Sequence, residues 1–567
     1  MFSTDSTLSR LKSTNTLQKT AFESLLGSYP DHQAAQSAIR LIEHSKASVF
    51  LTGAAGCGKT HLAAQIRKSL QKKWLLFSPT AEIALRIGGQ SIFSFFGLAS
   101  SIYVPNQHAI PTLSAEKIKI LAHCELIMIE QVGILRCDHM QLIDVMLRHY
   151  LKSERPFAGK QMILMGDLYQ IPPNLEQLDK KSIQLLQAHY SSRYFFGASC
   201  FQQNFKFHLV ELKTNYRHQD EGFKDLLNAV RYNSIDENQL TSLNARCTQD
   251  HSIQKVDKIM LCSMPQTAEH INQQKLDALD GPQLNFKAAV AGIQLEKTQY
   301  PCDYILGLKI GAHVVFVNKD SQSRWTKGSL GTVYNIYENY LEISIRQRKQ
   351  EKTIKVERFN WSVKEHQWDP KSNSYHLNTV GDFSQFPIRL GWSMSVQQAQ
   401  GFSFDHIYIK LDRRNFAAGL TYAALSRCKT LKGIYLKRPF LREDIFSDKR
   451  IARFIDSENK KNHWSDQAYF WQQNTIIEAL EKAKLSEQAK QQDVGYKLSE
   501  QAQKIEWQAA DIQAAKQNLK NLEQKNASLL NQQAMHESTL NQSEKTKAAL
   551  QMLLVFLLLV ILSMFFS

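Results

Sequence analysis

The chain has 567 residues, 43% of them hydrophobic and 10% aromatic, enough to bury more than one core and too long for a single ordinary domain. Lys plus Arg outnumber Asp plus Glu by 69 to 53, a formal charge of +16 that favours polyanionic partners such as nucleic acid or an acidic membrane surface. Cysteines at 57, 124, 137, 200, 247, 262, 302 and 428 form no CxxC pair and no His–Cys cluster, which argues against a zinc site and fits the reduced thiols of a cytosolic body.

Residues 1–30 are polar and open without the apolar stretch of a secretory leader, so a loose terminus and no secretion are expected. From 31 to about 455, apolar runs such as ASVFLTG, WLLFSPT, LIMIE and QMILMGD alternate with helical stretches, the pattern of a parallel α/β sheet with crossover helices. The basic excess lies here: residues 456–548 carry 12 basic and 13 acidic side chains, leaving 57 against 40 for residues 1–455.

Within this α/β part, a strand at 49–52 runs into GAAGCGKT, which is Gly53, Ala54, Ala55, Gly56, Cys57, Gly58, Lys59 and Thr60, and then into a helical segment opened by His61. Glycines at this spacing let backbone N–H groups turn inward at a helix N-terminus to hold phosphate. Lys59 is placed to reach the β and γ phosphates of ATP and the Thr60 hydroxyl to ligate Mg²⁺. A second apolar strand, Leu126 to Ile129, delivers Glu130 and Gln131, and a third, MILMGDLYQIPP, delivers Asp167 and Gln170. A Gln in such a position orients the attacking water or senses the γ-phosphate. Arg217 in LKTNYRHQDEGF and Arg427 in LTYAALSRCKTLKGIYL stand in suggestive settings, but taken alone each reads as a surface salt-bridge residue.

Residues 308–386 change texture to short strands parted by Gly, Lys and Asn turns, which reads as a small antiparallel barrel inserted in the α/β body. After a linker at 456–470, residues 471–549 are nearly free of Gly and Pro. Leu498, Ile505, Ile512, Leu519, Asn526 and Leu540 share one heptad position, so a coiled coil, or else a long solvated helix, is expected. Leu553 to Phe566 is apolar except for Ser563, and residues 550–566 predict one transmembrane helix, with Lys545 and Lys547 ahead of it placing the body in the cytoplasm.

The ordered segments QSAIRLIEHSKASVFLTGAAGCGKT, SPTAEIALRIGGQSIFSFFGL, MGDLYQIPP, LVELKTNYRHQDEGF, KGSLGTVYNI, SMSVQQAQGFSFD and TYAALSRC resemble the Pif-type (petite integration frequency) DNA helicases of superfamily 1, over about Asp31 to Arg450. The resemblance implies two RecA-like P-loop domains, residues 31–206 and a second split into 207–307 and 387–455, with an SH3-like β-barrel at 308–386. It implies 5′-to-3′ translocation on single-stranded or forked DNA. It also implies that Gln36 reads adenine, that Gln170 couples the γ-phosphate to the cleft, and that Arg217 and Arg427 are arginine fingers. DNA contacts fall on Pro79 to Phe96, on Ser395 to Phe404 and near Lys327 and Gly328, and Ala99 to Leu113 takes the place of the family's wedge.

The chain departs from the family where T-G-I-A-A becomes Thr80-Ala81-Glu82-Ile83-Ala84, where T-I-H-S-F becomes Ser91-Ile92-Phe93-Ser94-Phe95, and where H-K-S-Q-G becomes Gln397-Gln398-Ala399-Gln400-Gly401. The departure that touches the chemistry is Glu130-Gln131 in place of Asp-Glu. Glu130 keeps the charge that serves Mg²⁺, but an amide at 131 cannot take a proton near neutral pH. Three readings follow: a membrane-tethered ATP-dependent helicase, an ATP-gated clamp on single-stranded DNA that hydrolyses little, and a membrane scaffold. In each, the stalk would pair with a second copy or a partner protein.

Overall fold

The computed structural model describes residues 33–202, 205–247, 258–292, 300–347, 350–411 and 417–460, with Gln517 and Asn521 beyond them. The expected loose terminus, coiled coil and transmembrane helix therefore lie outside the described residues, among which no helix is long and apolar enough to cross a membrane. The chain divides into two compact units, Met1–Ser465 and Asp466–Ser567, and every described strand falls in the first.

Strands β1 (Ser48–Gly53), β2 (Trp74–Ser78), β3 (Gln90–Ser91), β4 (Leu126–Glu130), β5 (Gln161–Met165) and β6 (Phe207–Leu212) form one parallel sheet in the order β3-β2-β4-β5-β1-β6. β1, β4 and β5 are buried at every position, which is why they read as unbroken apolar runs: helices cover both faces. Their C-terminal ends deliver Gly53, Glu130 and the Gly166–Gln170 loop to one edge, where α/β proteins build their sites. β6 pairs in register with β1 along its whole length, so the first sheet extends past the expected boundary at 206.

A second parallel sheet, of β18 (Ser393–Ser395), β7 (Ile259–Cys262), β19 (Ile407–Lys410) and β20 (Ile434–Leu436), is assembled from segments on both sides of an antiparallel region. Antiparallel pairing begins with β8 (Leu284–Lys287) and β9 (Ala289–Gly292), ahead of the expected 308, and runs to β17 (Ile388–Leu390). It forms three sheets. β14 (Gln350–Glu357), β13 (Tyr340–Gln347), β12 (Leu330–Ile336), β11 (His313–Phe316) and β17 make the largest; β10 (Ile305–Leu308) pairs with β8; β15 (Phe359–Asp369) and β16 (Ser374–Gln385) form a long hairpin edged by β9. β8 and β9 are mostly exposed and short, so they lack the alternation that marks a half-buried strand.

The hairpin does not stand free. His366 donates its backbone N–H to Gln90 Oε1 at 3.1 Å, while its Nε2 accepts the Leu76 N–H at 3.4 Å. The Trp368 N–H reaches Glu116 Oε1 at 2.8 Å, and its ring lies 4.5 Å from that of His123. The insert is thereby fastened to the β3–β2 side of the first sheet and to the helix Ala115–His123. Trp368→Ala removes an aromatic contact from this seam and should lower the thermal unfolding midpoint by about 2–4 °C, measured by calorimetry; an unchanged midpoint would mean that the seam carries no stability.

Candidate nucleotide and single-strand site

The phosphate loop follows from its glycines. Gly53, Gly56 and Gly58 have φ of 143°, 89° and 83°, a region costly for residues with a Cβ. A Cβ on Gly53 would lie 2.5 Å from the Leu212 carbonyl oxygen, and one on Gly56 would lie 2.5 Å from Arg217 Cβ. Lys59 opens the helix Lys59–Ser69 and its Nζ donates to the carbonyls of Gly53 and Ala54 at 2.7 and 3.0 Å. Cys57 is buried in the loop, with Sγ 3.5 Å from Lys59 Nζ; His61 is exposed, and Gln36 sits half-buried in the first turn of the helix Gln33–His44.

The Thr60 hydroxyl donates to Glu130 Oε1 at 2.5 Å. Burial pushes the Glu130 carboxyl above its ordinary value, against the Thr60 hydrogen bond and the positive charge of Lys59. Gln131, the next residue, sits in the left-handed region at φ 55° and its Oε1 is buried without a hydrogen-bond partner. Among the described residues no cluster of three His, Cys, Asp or Glu side chains forms a metal cage. The Thr60–Glu130 pair fits Mg²⁺, an ion held by one or two side-chain oxygens with water and phosphate completing its shell.

Asp167 accepts five hydrogen bonds from four residues: Arg231 Nη2 at 3.0 Å, and Arg231 Nε, Gln170 Nε2, Tyr422 OH and the Tyr169 N–H at 3.2 Å each. Burial acts to raise its carboxyl, but Arg231, Lys59 and these donors hold it below the ordinary value. Arg231 also pairs with Glu211 at 3.0 Å and stacks between Tyr169 and Tyr232, 4.8 Å from each ring. Neither Arg231 nor Tyr422 was singled out from the sequence. The available signal was an arginine on the apolar face of LLNAVRY and a tyrosine five residues ahead of Arg427.

Arg217 and Arg427 come from different parts of the chain and meet at Ser426. Arg217 Nη1 donates to the Ser426 carbonyl at 3.0 Å; Arg427 donates to Ser426 Oγ at 2.9 Å and to the Ala423 carbonyl at 3.0 Å. Asn215 seats this segment on the phosphate loop, giving Nδ2–H to the Ala55 carbonyl at 3.0 Å, and the Tyr216 N–H donates to the Gly56 carbonyl at 3.0 Å. Arg427 is 2% exposed, and burial together with the Arg217 charge pushes it down to about 9. Neither arginine makes a salt bridge to a carboxylate among the described residues. A buried and a half-buried guanidinium without a carboxylate partner beside a phosphate loop fit a polyphosphate anion.

The expected strand-binding segments also meet. Lys327 Nζ lies 3.8 Å from Glu82 Oε1 and 4.1 Å from the centre of the Phe402 ring. A Cβ on Gly328 would lie 2.8 Å from the Ser403 carbonyl oxygen, and one on Gly401 2.3 Å from Arg86 Nη1. Phe402 is buried beneath Lys327 and the glycines are closely packed, so what this region offers a single strand is the positive charge of Lys327 and Arg86 toward its phosphates. The expected wedge, Ala99 to Leu113, is tied down by Arg136, whose guanidinium donates to the carbonyls of Ser100 and Ser101 at 2.9 Å and pairs with Asp138 at 2.8 Å.

Burial and the Arg86 charge push Lys327 down to about 7 from an ordinary 10.5. Its folded value lies below its unfolded one, so the unfolded chain binds more protons between those pH values, and this residue's contribution to stability rises with pH across that window. Affinity for single-stranded DNA should therefore rise more steeply from pH 8 to pH 6 in the wild type than in Lys327→Arg, which stays charged throughout. Anisotropy titrations check this; identical pH profiles would show that Lys327 does not face the strand.

Comparisons with known proteins agree with this geometry. Residues 31–241 match the family model described as PIF1-like helicase. The chain is 26% identical over 408 residues to the ATP-dependent DNA helicase Pif1 of Bdellovibrio bacteriovorus, covering 70% of this chain and 86% of that one. It is 25% identical over 421 residues to the human ATP-dependent DNA helicase PIF1, covering 72% of this chain but only 61% of that protein's length. The solved structure of Bacteroides sp Pif1 in complex with ADP-AlF4 superposes with a TM-score of 0.70 at 28% identity, over 76% of this chain and 97% of that one. Bacteroides Pif1 bound to ssDNA gives a TM-score of 0.55 at the same identity and coverage.

Proposed function

We propose, on the premise that this chain belongs to the Pif1-like helicase family, that it is an ATP-hydrolysing DNA helicase that moves 5′ to 3′ along single-stranded DNA and opens forked duplexes. The observation that carries this reading is the pair Arg217, half-buried, and Arg427, buried, both unpaired to any carboxylate among the described residues and gathered at Ser426 beside the phosphate loop.

In this reading the glycine amides and Lys59 hold the β and γ phosphates, and Gln170 reports the γ-phosphate to the cleft. Thr60 and Glu130 are the residues that would hold Mg²⁺, which supplies charge neutralisation across the phosphates. Arg217 and Arg427 neutralise the charge that develops in the transition state. The Gln131 carbonyl can orient the attacking water but cannot take its proton, so hydrolysis is slower than an acidic residue at 131 would give. Another group must then relay the proton, and Glu130 is the candidate once the strand end shifts it from the ion.

The finer features belong to the same proposal. The antiparallel insert acts as the family's SH3-like module, residues 471–549 form a coiled-coil stalk for a second copy or a partner protein, and residues 550–566 anchor the chain in a membrane with its body in the cytoplasm. Strand displacement tests the motor. A duplex with a 5′ single-stranded tail should open in the presence of ATP and one with a 3′ tail should not, while ATP-gated binding without displacement would favour the clamp. A fluorescent fusion tests the anchor: deletion from Met552 onward should release it from membranes, and a diffuse full-length protein would refute anchoring.

A further inference from the structure

Tyr422 is 2% exposed in the helix Leu420–Leu425, and its hydroxyl lies between two segments that meet the nucleotide. It accepts the Ala55 N–H of the phosphate loop at 2.8 Å and donates to Asp167 Oδ2 at 3.2 Å. A phenol that only filled the core would need a single partner; this one has its donor and an acceptor position committed to two different loops. Just ahead of the helix, Gly419 lets the backbone close on the Asp167 loop as well: a Cβ there would lie 2.3 Å from the Tyr169 carbonyl oxygen and 2.4 Å from that of Gln170.

The other end of the same element reaches the segments expected to bind the strand. Arg427 follows the helix, and its carbonyl accepts the Phe404 N–H at 2.9 Å, while Phe404 returns its carbonyl to the Lys429 N–H at 3.0 Å. Phe404 stacks 5.8 Å from Phe402, over which Lys327 sits. The path from Ala55 to Lys327 thus runs through hydrogen bonds, one short helix and packed rings.

We propose that Tyr422 is the positioning residue that couples nucleotide occupancy to single-strand affinity, its hydroxyl joining the Ala55 amide to Asp167 and its helix joining both to Phe404. This rests on the ATP-dependent reading above. Settling of the phosphate loop around a polyphosphate moves the Ala55 amide, the hydroxyl follows, and the helix carries the shift to Arg427 and Phe404. The carboxylate end of the relay is held by Arg231, which grips Asp167 from the other side.

The test is the dissociation constant of a fluorescent single-stranded oligonucleotide for the full chain, with and without a non-hydrolysable ATP analogue and Mg²⁺. Binding of the analogue itself is read separately by thermal shift. In the wild type the analogue should change the constant by about tenfold. In Tyr422→Phe the change should shrink to about twofold or less, with nucleotide-free strand affinity and analogue binding retained. A structural tyrosine would lower the unfolding midpoint and leave the ratio intact.

Should Tyr422→Phe fail to fold, Arg231→Lys takes its place: loss of the ratio supports the relay and retention overturns it. A wild type that binds the analogue but shows no change in strand affinity also overturns the relay while ATP binding stands. A wild type that binds no analogue removes the ATP-dependent reading, and the relay with it.

Discussion

Gln131→Glu should raise the DNA-stimulated ATPase rate of the full chain by about 10²-fold. The backbone at 131 is already in the left-handed region and the Oε1 is buried with no partner, so the variant puts a carboxylate oxygen where an amide oxygen now waits. Burial and the neighbouring Glu130 both push such a carboxyl upward, toward the range in which it accepts a proton near neutral pH. Steady-state turnover at saturating ATP and single-stranded DNA is the measurement. A rate unchanged by the substitution would show that the proton leaves by another route. Glu130→Gln should then abolish turnover, because Glu130 is the remaining carboxylate beside Thr60.

Arg427→Ala should reduce kcat by about 10³-fold or more while KM for ATP moves far less, because a transition-state contact is lost rather than uniform binding. Arg427→Lys should recover little of the loss. The guanidinium divides its donors between the Ala423 carbonyl and Ser426 Oγ, and a lysine ammonium cannot reproduce that fork. The backbone bond from Phe404 to residue 427 survives both substitutions, so nucleotide-free strand binding should persist, and a parallel loss of strand affinity would point to misfolding. Arg427 is held at about 9, below its ordinary 12.5, so its contribution to stability rises with pH between those values.

The phosphate loop was legible because glycine spacing between a strand and a helix has one physical use, and the structure places Lys59, Thr60 and Glu130 together as that use requires. The Asp167 loop and the two arginines read less directly. They are far apart in sequence, and only the resemblance joined them ahead of the structure. Tyr422 and Arg231 escaped because a buried tyrosine and an arginine on an amphipathic helix look like ordinary core and surface residues until their partners are known. The insert was visible as a change of texture, but its early strands β8 and β9 are exposed and carry no period. Nothing in the hairpin's alternation announces that His366 and Trp368 will fasten it to the first sheet, because that packing is a tertiary event.

If this nucleotide site turns over, a DNA strand should govern its rate. Steady-state ATPase of the wild type and of Lys59→Ala, with and without single-stranded DNA, addresses it most directly. The wild-type rate should rise at least about tenfold on addition of DNA, and the Lys59→Ala rate should stay at background in both conditions. A wild type indistinguishable from Lys59→Ala, with or without DNA, would contradict it.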